Sequence, residues 1–127
     1  MFYTKPLFKG AFLNKRCIIT VDGFYEWKKE SGRSVKYRVE LKDNSLFSLA
    51  GIYDDFVDMD GTPFTGFTII TTASNRLIAG IHNRMPVILS EDTEDIWLDK
   101  DIKDAALLRS FLKPCEDEEK KLEAVGC

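Results

Sequence analysis

Apolar residues fall along this chain in short runs divided by polar turns, and helical spacing appears only briefly between them. Thr4-Lys5-Pro6 suits a helix start, because proline's missing N–H is not needed in a first turn. Leu7, Phe8, Ala11 and Phe12 then predict a short helix over residues 6–13. Cys17-Ile18-Ile19-Thr20-Val21 is a β-branched run and reads as a buried strand. Asp22-Gly23 breaks it with turn chemistry, and residues 24–27 resume extended structure. Glu30-Ser31-Gly32-Arg33 is a polar loop. Beyond it Val35, Tyr37, Val39 and Leu41 alternate with charged residues, the period-2 signature of a half-solvated strand.

The second half follows the same style. A turn at Asp43-Asn44-Ser45 leads into a strand over 46–53, and residues 54–65 read as an acidic loop containing glycine and proline. Residues 66–72 (GFTIITT) are the clearest buried strand in the chain. Residues 73–80 predict one or two helical turns ending at Gly80, and 85–89 a short strand. Ser90 looks like an N-cap followed by carboxylates that complement the helix dipole. Residues 104–112 predict an amphipathic helix stopped near Pro114, and 114–127 a frayed, charged tail. Strands outnumber helices without alternating regularly with them, which favours an α+β, mainly β class. The expected architecture is one domain over 1–127: a curled, barrel-like sheet, mixed or antiparallel, with short peripheral helices.

Composition narrows the class. Apolar residues make up 44% and aromatics 12% of the 127 residues, an ordinary globular composition. No apolar run approaches the ~18 residues of a membrane span, and the start has no apolar signal region. A soluble, cytoplasmic protein is expected, with no membrane partner. Three cysteines, Cys17, Cys115 and Cys127, have no metal-ligand spacing, and His82 is the only histidine, so neither a metal site nor a cofactor is expected. The net charge of −3 hides a division: residues 1–42 carry ten Lys/Arg against four Asp/Glu, and residues 43–127 carry eight against seventeen. The basic third is a footprint for an anionic ligand such as nucleic acid, or equally a solvated hairpin.

Two places carry chemistry that the fold does not obviously require. Glu26 stands among aromatics in Gly23-Phe24-Tyr25-Glu26-Trp27. Burial there would raise its pKa and let it hold a proton near neutrality; on the strand's other face it would simply meet solvent. His82 precedes Arg84 by two residues in Ile81-His82-Asn83-Arg84-Met85-Pro86. A lone histidine beside a glycine turn is commonly structural. Beside an arginine on one extended face, however, it offers a proton carrier next to a phosphate clamp. Cys17 with His82 imitates a nucleophile pair, but a cysteine in a β-branched run is usually an inert core residue.

Together Arg16-Cys17, the Asp22-to-Lys28 block DGFYEWK, Phe67-Thr68-Ile69-Ile70-Thr71-Thr72 with Asn75, and Ile81-His82-Asn83-Arg84-Met85-Pro86-Val87 resemble the SRAP family (SOS response-associated peptidases). Its members process abasic sites, and the likeness runs from about residue 6 to 98. The resemblance implies an N-terminal cysteine whose α-amine forms a Schiff base with the abasic aldehyde and whose thiol closes a thiazolidine. It implies Glu26 and His82 as catalytic acid–base groups, Arg84 and, more weakly, Thr71 as DNA contacts, and single-stranded DNA with abasic sites as partner. The chain departs from the family at its start: position 2 is Phe2, and no Asn-Ala-Arg occurs. The expectation is therefore a domain lacking its N-terminal segment and its nucleophile, inactive alone and inclined to pair with itself. A non-covalent single-strand binding module and, less favoured, a thiol peptidase using Cys17 are the competing readings.

Overall fold

The structure, a computed structural model, describes residues 6–115 and 122–127. The expected cap at Thr4-Lys5, the side chains of Leu7 and Phe8, and the charge run over 116–121 lie outside the described residues. Helix α1 (Pro6–Asn14) leads directly into β1 (Arg16–Val21). The loop expected at Glu30–Arg33 is tighter than it reads. Strands β2 (Phe24–Glu30) and β3 (Arg33–Leu41) are joined by Ser31 and Gly32 alone, both at positive φ (50° and 79°). That is the two-residue reversal whose twist matches an antiparallel hairpin.

A second hairpin replaces the acidic loop predicted for 54–65. Strand β4 (Phe47–Val57) runs through its first residues and pairs with β5 (Pro63–Ile69). The Asp58 carboxylate makes the reversal by accepting from the N–H groups of Asp60 and Thr62, both at 2.9 Å, with Gly61 at φ 81°. Strand β5 is also not the buried strand that GFTIITT predicts. It has β4 as its one sheet neighbour, and most of its residues are exposed, Phe67 by 63%. Burial begins at Ile70.

Strands β6 (Thr71–Ala73), β7 (Arg84–Pro86), β8 (Ile88–Leu89) and β9 (Leu122–Gly126) complete the sheets, with short helices α2 (Arg76–Ala79), α3 (Glu91–Leu98) and α4 (Ala105–Arg109). The α+β, mainly β class is as expected, and every pairing is antiparallel. The strands divide among three hydrogen-bonded sheets: β1, β4, β5 and β8; β2, β3 and β9; β6 and β7. Strand β9 corrects the expectation of a frayed tail over 114–127. Leu122 and Ala124 pair with Leu41 and Val39 and carry the tail onto the core. No helix among the described residues is long and apolar enough to cross a membrane.

Central strand β4 is buried on both faces over residues 47–52, and its alternation feeds two apolar clusters. Ala50 and Ile52 face Trp97, Phe12 and Leu108; Phe47 and Leu49 face Val39, Met85 and Ile88. At Ala50 the neighbour along one edge of β4 changes from β8 to β5. Three buried residues close a ring of backbone bonds there: Ala50 N–H donates to Val87 O (3.0 Å), Val87 N–H to Ile70 O (2.8 Å), and Ile70 N–H to Ala50 O (3.0 Å).

Arg16 holds the helices to this sheet. Only 8% exposed, its guanidinium donates to five backbone carbonyls: Trp97 (2.6 Å), Phe12 and Leu13 (both 2.9 Å), Asp99 (2.6 Å) and Ile102 (3.0 Å). These are orphan acceptors at the ends of α1 and α3 and in the segment after α3, so one cation satisfies groups that a helix terminus leaves open. Burial lowers the Arg16 pKa from its ordinary value, and the nearby Asp99 carboxylate works against that shift. Arg16→Met removes the donors and leaves the carbonyls buried. The expected loss is about 2–4 kcal/mol in urea denaturation, from the removal of several charge-assisted bonds together. A loss under ~1 kcal/mol would mean that the carbonyls find other donors.

Candidate functional site

Strand β2 sets the site's first half through its phase. Phe24 packs on the second cluster and meets Phe47 edge to face at 6.2 Å. Strand alternation then turns Glu26 to the same inner side and Tyr25, Trp27 and Lys29 outward. Of the two orientations open in the sequence, Glu26 takes the sheltered one, with its side chain 18% exposed. Burial pushes its carboxyl pKa up, and the charge of a protonated His82 pulls it partly back.

The second half is a short turn fixed from several directions. Asn75 caps α2, its Oδ1 accepting from Ile78 N–H at 3.0 Å, while its Nδ2 donates to Cys115 O at 2.6 Å. After Gly80 the chain doubles back, and the Ile78 carbonyl accepts from the N–H groups of both Ile81 and His82 at 2.8 Å. Ser74 Oγ donates to His82 O at 2.5 Å. With its backbone held, the half-exposed His82 ring brings Nδ1 to 3.7 Å from Glu26 Oε2.

The same Nδ1 lies 3.2 Å from Arg84 N and 3.1 Å from Arg84 O. Bare, it accepts from the Arg84 N–H; protonated, it donates to the Arg84 carbonyl and faces the Glu26 carboxylate. Either proton state therefore has a partner. His82 and Arg84 do not sit side by side on an extended face, as their spacing predicts. The ring folds back onto Arg84's main chain instead. The Arg84 side chain runs across to β6, where Nη2 donates to Thr71 O at 2.9 Å and Thr71 Oγ1 at 3.2 Å. Both residues are exposed, so two of the guanidinium's bonds orient it while its remaining donors stay open to a ligand.

The structure thus brings Glu26 to His82, and Arg84 to Thr71, with His82 and Arg84 joined through the main chain. Glu26 and His82 line a groove of about 600 Å³, open to solvent, between β2, the start of β3 and the turn after α2. Lys28, Lys29, Ser34 and Asn83 also line it and were not singled out in the sequence; alternation along β2 was the available signal for Lys28. Cys17 is not among the lining residues. Its thiol pKa is raised by burial and its carbonyl accepts from Trp97 Nε1 at 2.9 Å, the setting of an inert core cysteine.

An antiparallel α+β domain with a carboxylate–imidazole pair in an open groove defines a class that comparison with known proteins makes specific. Residues 1–126 match the SOS response associated peptidase (SRAP) family, and the chain belongs to that family. It is 42% identical over 111 residues to the abasic site processing protein YoqW of Bacillus subtilis strain 168, covering 87% of this chain and 50% of that protein. It is 33% identical over 117 residues to the abasic site processing protein HMCES of Gallus gallus, covering 76% and 34%. A crystal structure of a protein from Bacteroides thetaiotaomicron superposes with a TM-score of 0.87 at 37% identity, over 98% of this chain and 54% of that one. The chain therefore spans about half the length of relatives such as YoqW.

Glu26's raised pKa gives a signed prediction. A carboxyl that holds its proton more tightly when folded contributes its stability below the ordinary carboxylate range, and that contribution is lost as pH rises through the raised value. Glu26→Gln should therefore melt higher than the native chain at about pH 8, with the difference closing toward about pH 3, below the ordinary value of ~4.3. Thermal melts at both pH values check this. A variant less stable than native at pH 8 would contradict the burial argument.

Proposed function

We propose that this chain carries the acid–base and phosphate-holding part of a protein that processes abasic sites in single-stranded DNA. The observation that supports it most is the 3.7 Å approach of His82 Nδ1 to Glu26 Oε2 in an open groove. The names of relatives such as YoqW and HMCES point to the same substrate.

An abasic deoxyribose rests as a closed hemiacetal. Opening it moves a proton from the anomeric hydroxyl to the ring oxygen, which needs one group to give a proton and one to take it. Glu26, protonated more readily than an ordinary carboxyl, donates to the ring oxygen, and neutral His82 accepts from the hydroxyl. The pair can then exchange that proton at Nδ1 and return to its starting state. Arg84, steadied by Thr71, holds a flanking phosphate.

The aldehyde so formed is the electrophile for an aminothiol. The amine adds and water leaves, giving a Schiff base; the thiol sulfur then bonds to the imine carbon and its proton passes to nitrogen, closing a thiazolidine. Position 2 of these 127 residues is Phe2, and the cysteines stand at 17, 115 and 127, so the reading assigns Glu26, His82, Arg84 and Thr71 and no nucleophile within the chain. Its DNA-damage role, an intracellular location and self-pairing through the open edge of β5 belong to the same proposal. A dimer in light scattering at rising concentration would support the pairing, and a monomer throughout would count against it.

The test is a denaturing gel with single-stranded DNA containing one abasic site. It compares the chain alone with the chain joined to an upstream segment that starts in cysteine. A shifted band from the cysteine-bearing form alone is expected. Adding Glu26→Gln or His82→Ala should slow its formation about 100-fold or more, the scale of general acid–base catalysis. No band from either form, or a band indifferent to both substitutions, would contradict the proposal.

A further inference from the structure

The alternation that turns Glu26 inward turns Tyr25 and Trp27 outward, 47% and 51% exposed, with ring centroids 6.4 Å apart. Directly across the hairpin Tyr25 pairs with Arg38, and Trp27 with Lys36. Lys36 Nζ sits 4.8 Å from the Tyr25 ring centroid, and the Arg38 guanidinium lies 6.0 Å from it. Arg38 is neutralised by Asp22 and Glu40 at 3.1 and 3.0 Å. Lys29 and Lys36 are exposed and make no ion pair with the described residues. The hairpin's turn end therefore presents two half-open rings with positive charge between and beside them, on a protein whose net charge is −3.

Two further facts place this face. Strand β2 has β3 as its one sheet neighbour, so its other edge is open. Trp27 and Lys29 line the same groove as Glu26 and His82. A chain lying in the groove passes the carboxylate–imidazole pair and continues over the β2 edge onto the aromatic face without a break.

We propose that the outer face of the β2–β3 hairpin is a stacking platform for the bases of single-stranded DNA beside the reacting sugar, with Trp27 and Tyr25 stacking and Lys29 and Lys36 holding phosphates. Each ring offers a π-face that tolerates any base, and the lysines follow the backbone. The inference rests on the abasic-site reading for its occupant but not for its test. The platform takes undamaged DNA as well, because stacking needs bases and not their absence. A duplex, whose bases are already stacked, is a poor ligand for it.

The test uses an undamaged oligothymidylate of about twelve nucleotides, so that adduct chemistry plays no part. Trp97 is fully buried, so quenching of the native chain's tryptophan fluorescence reports on Trp27. Quenching by the single strand and not by duplex is expected. By anisotropy with a labelled strand, Trp27→Leu should weaken binding about 5- to 150-fold, the range for one stacked base. The doubly substituted Lys29→Ala/Lys36→Ala chain should flatten the salt dependence by about 1.4 in slope, roughly 0.7 for each phosphate that is no longer neutralised. Binding without quenching, with both variants matching the native chain, would overturn the platform, as would adduct formation at abasic DNA with no affinity for the undamaged strand. Quenching with no adduct from the cysteine-bearing form would uphold the platform and overturn the abasic-site chemistry instead.

Discussion

The arrangement depends on a ring of three backbone hydrogen bonds among Ala50, Ile70 and Val87. Each residue donates to one of the others and accepts from the third, and none is more than 2% exposed. With no water to take over a broken bond, opening one member leaves a buried donor and acceptor unpaired, a cost of a few kcal/mol. The ring sits where two strand segments leave one sheet for another: β5 passes into β6 at Ile70, and β7 into β8 at Val87. Ala50, on central strand β4, holds both changes of partner.

That placement reaches the site at once. Thr71 follows Ile70 directly, and Arg84 stands three residues before Val87, so the guanidinium–threonine contact spans two strands that the ring fixes at one end. His82 hangs from the same β7 segment through its contacts with the Arg84 main chain. Glu26 arrives from the other sheet, positioned by the anchoring of Phe24 beside Phe47. The carboxylate–imidazole distance therefore reflects how two sheets meet across the core. Arg16 has the matching task on the far side of β4, gathering helix-end carbonyls around one buried cation.

Much of this was legible in local chemistry. The helix at Pro6, the alternation of β3, the glycine-ended turn before His82 and the pairing of aromatics with Glu26 each rest on a residue type whose preference is local. Longer-range facts were not legible. GFTIITT reads as one buried strand because it is apolar and β-branched, but an edge position exposes its first part, and Ile70 diverts the chain without a glycine or proline to mark it. Residues 85–89 read as one strand for the same reason. Asp58 was counted as loop acidity, although its two accepted N–H bonds make the hairpin. Arg16 looked like a surface charge at a strand start; its burial depends on helix ends more than eighty residues away. At the site, Glu26, His82, Arg84 and Thr71 were all identified as candidates from the sequence and the family resemblance together. That His82 turns onto Arg84's main chain, and that the arginine reaches back to Thr71, required the fold.

The central claim is that the ring holds the site's strands as one unit, and native-state hydrogen exchange of its three amides tests it most directly. If the ring is the constraint, the Ala50, Ile70 and Val87 amides exchange only through global unfolding, with equal opening free energies that shift together with denaturant. Exchange of any one of them through a local opening, at a free energy well below the other two, would contradict the account.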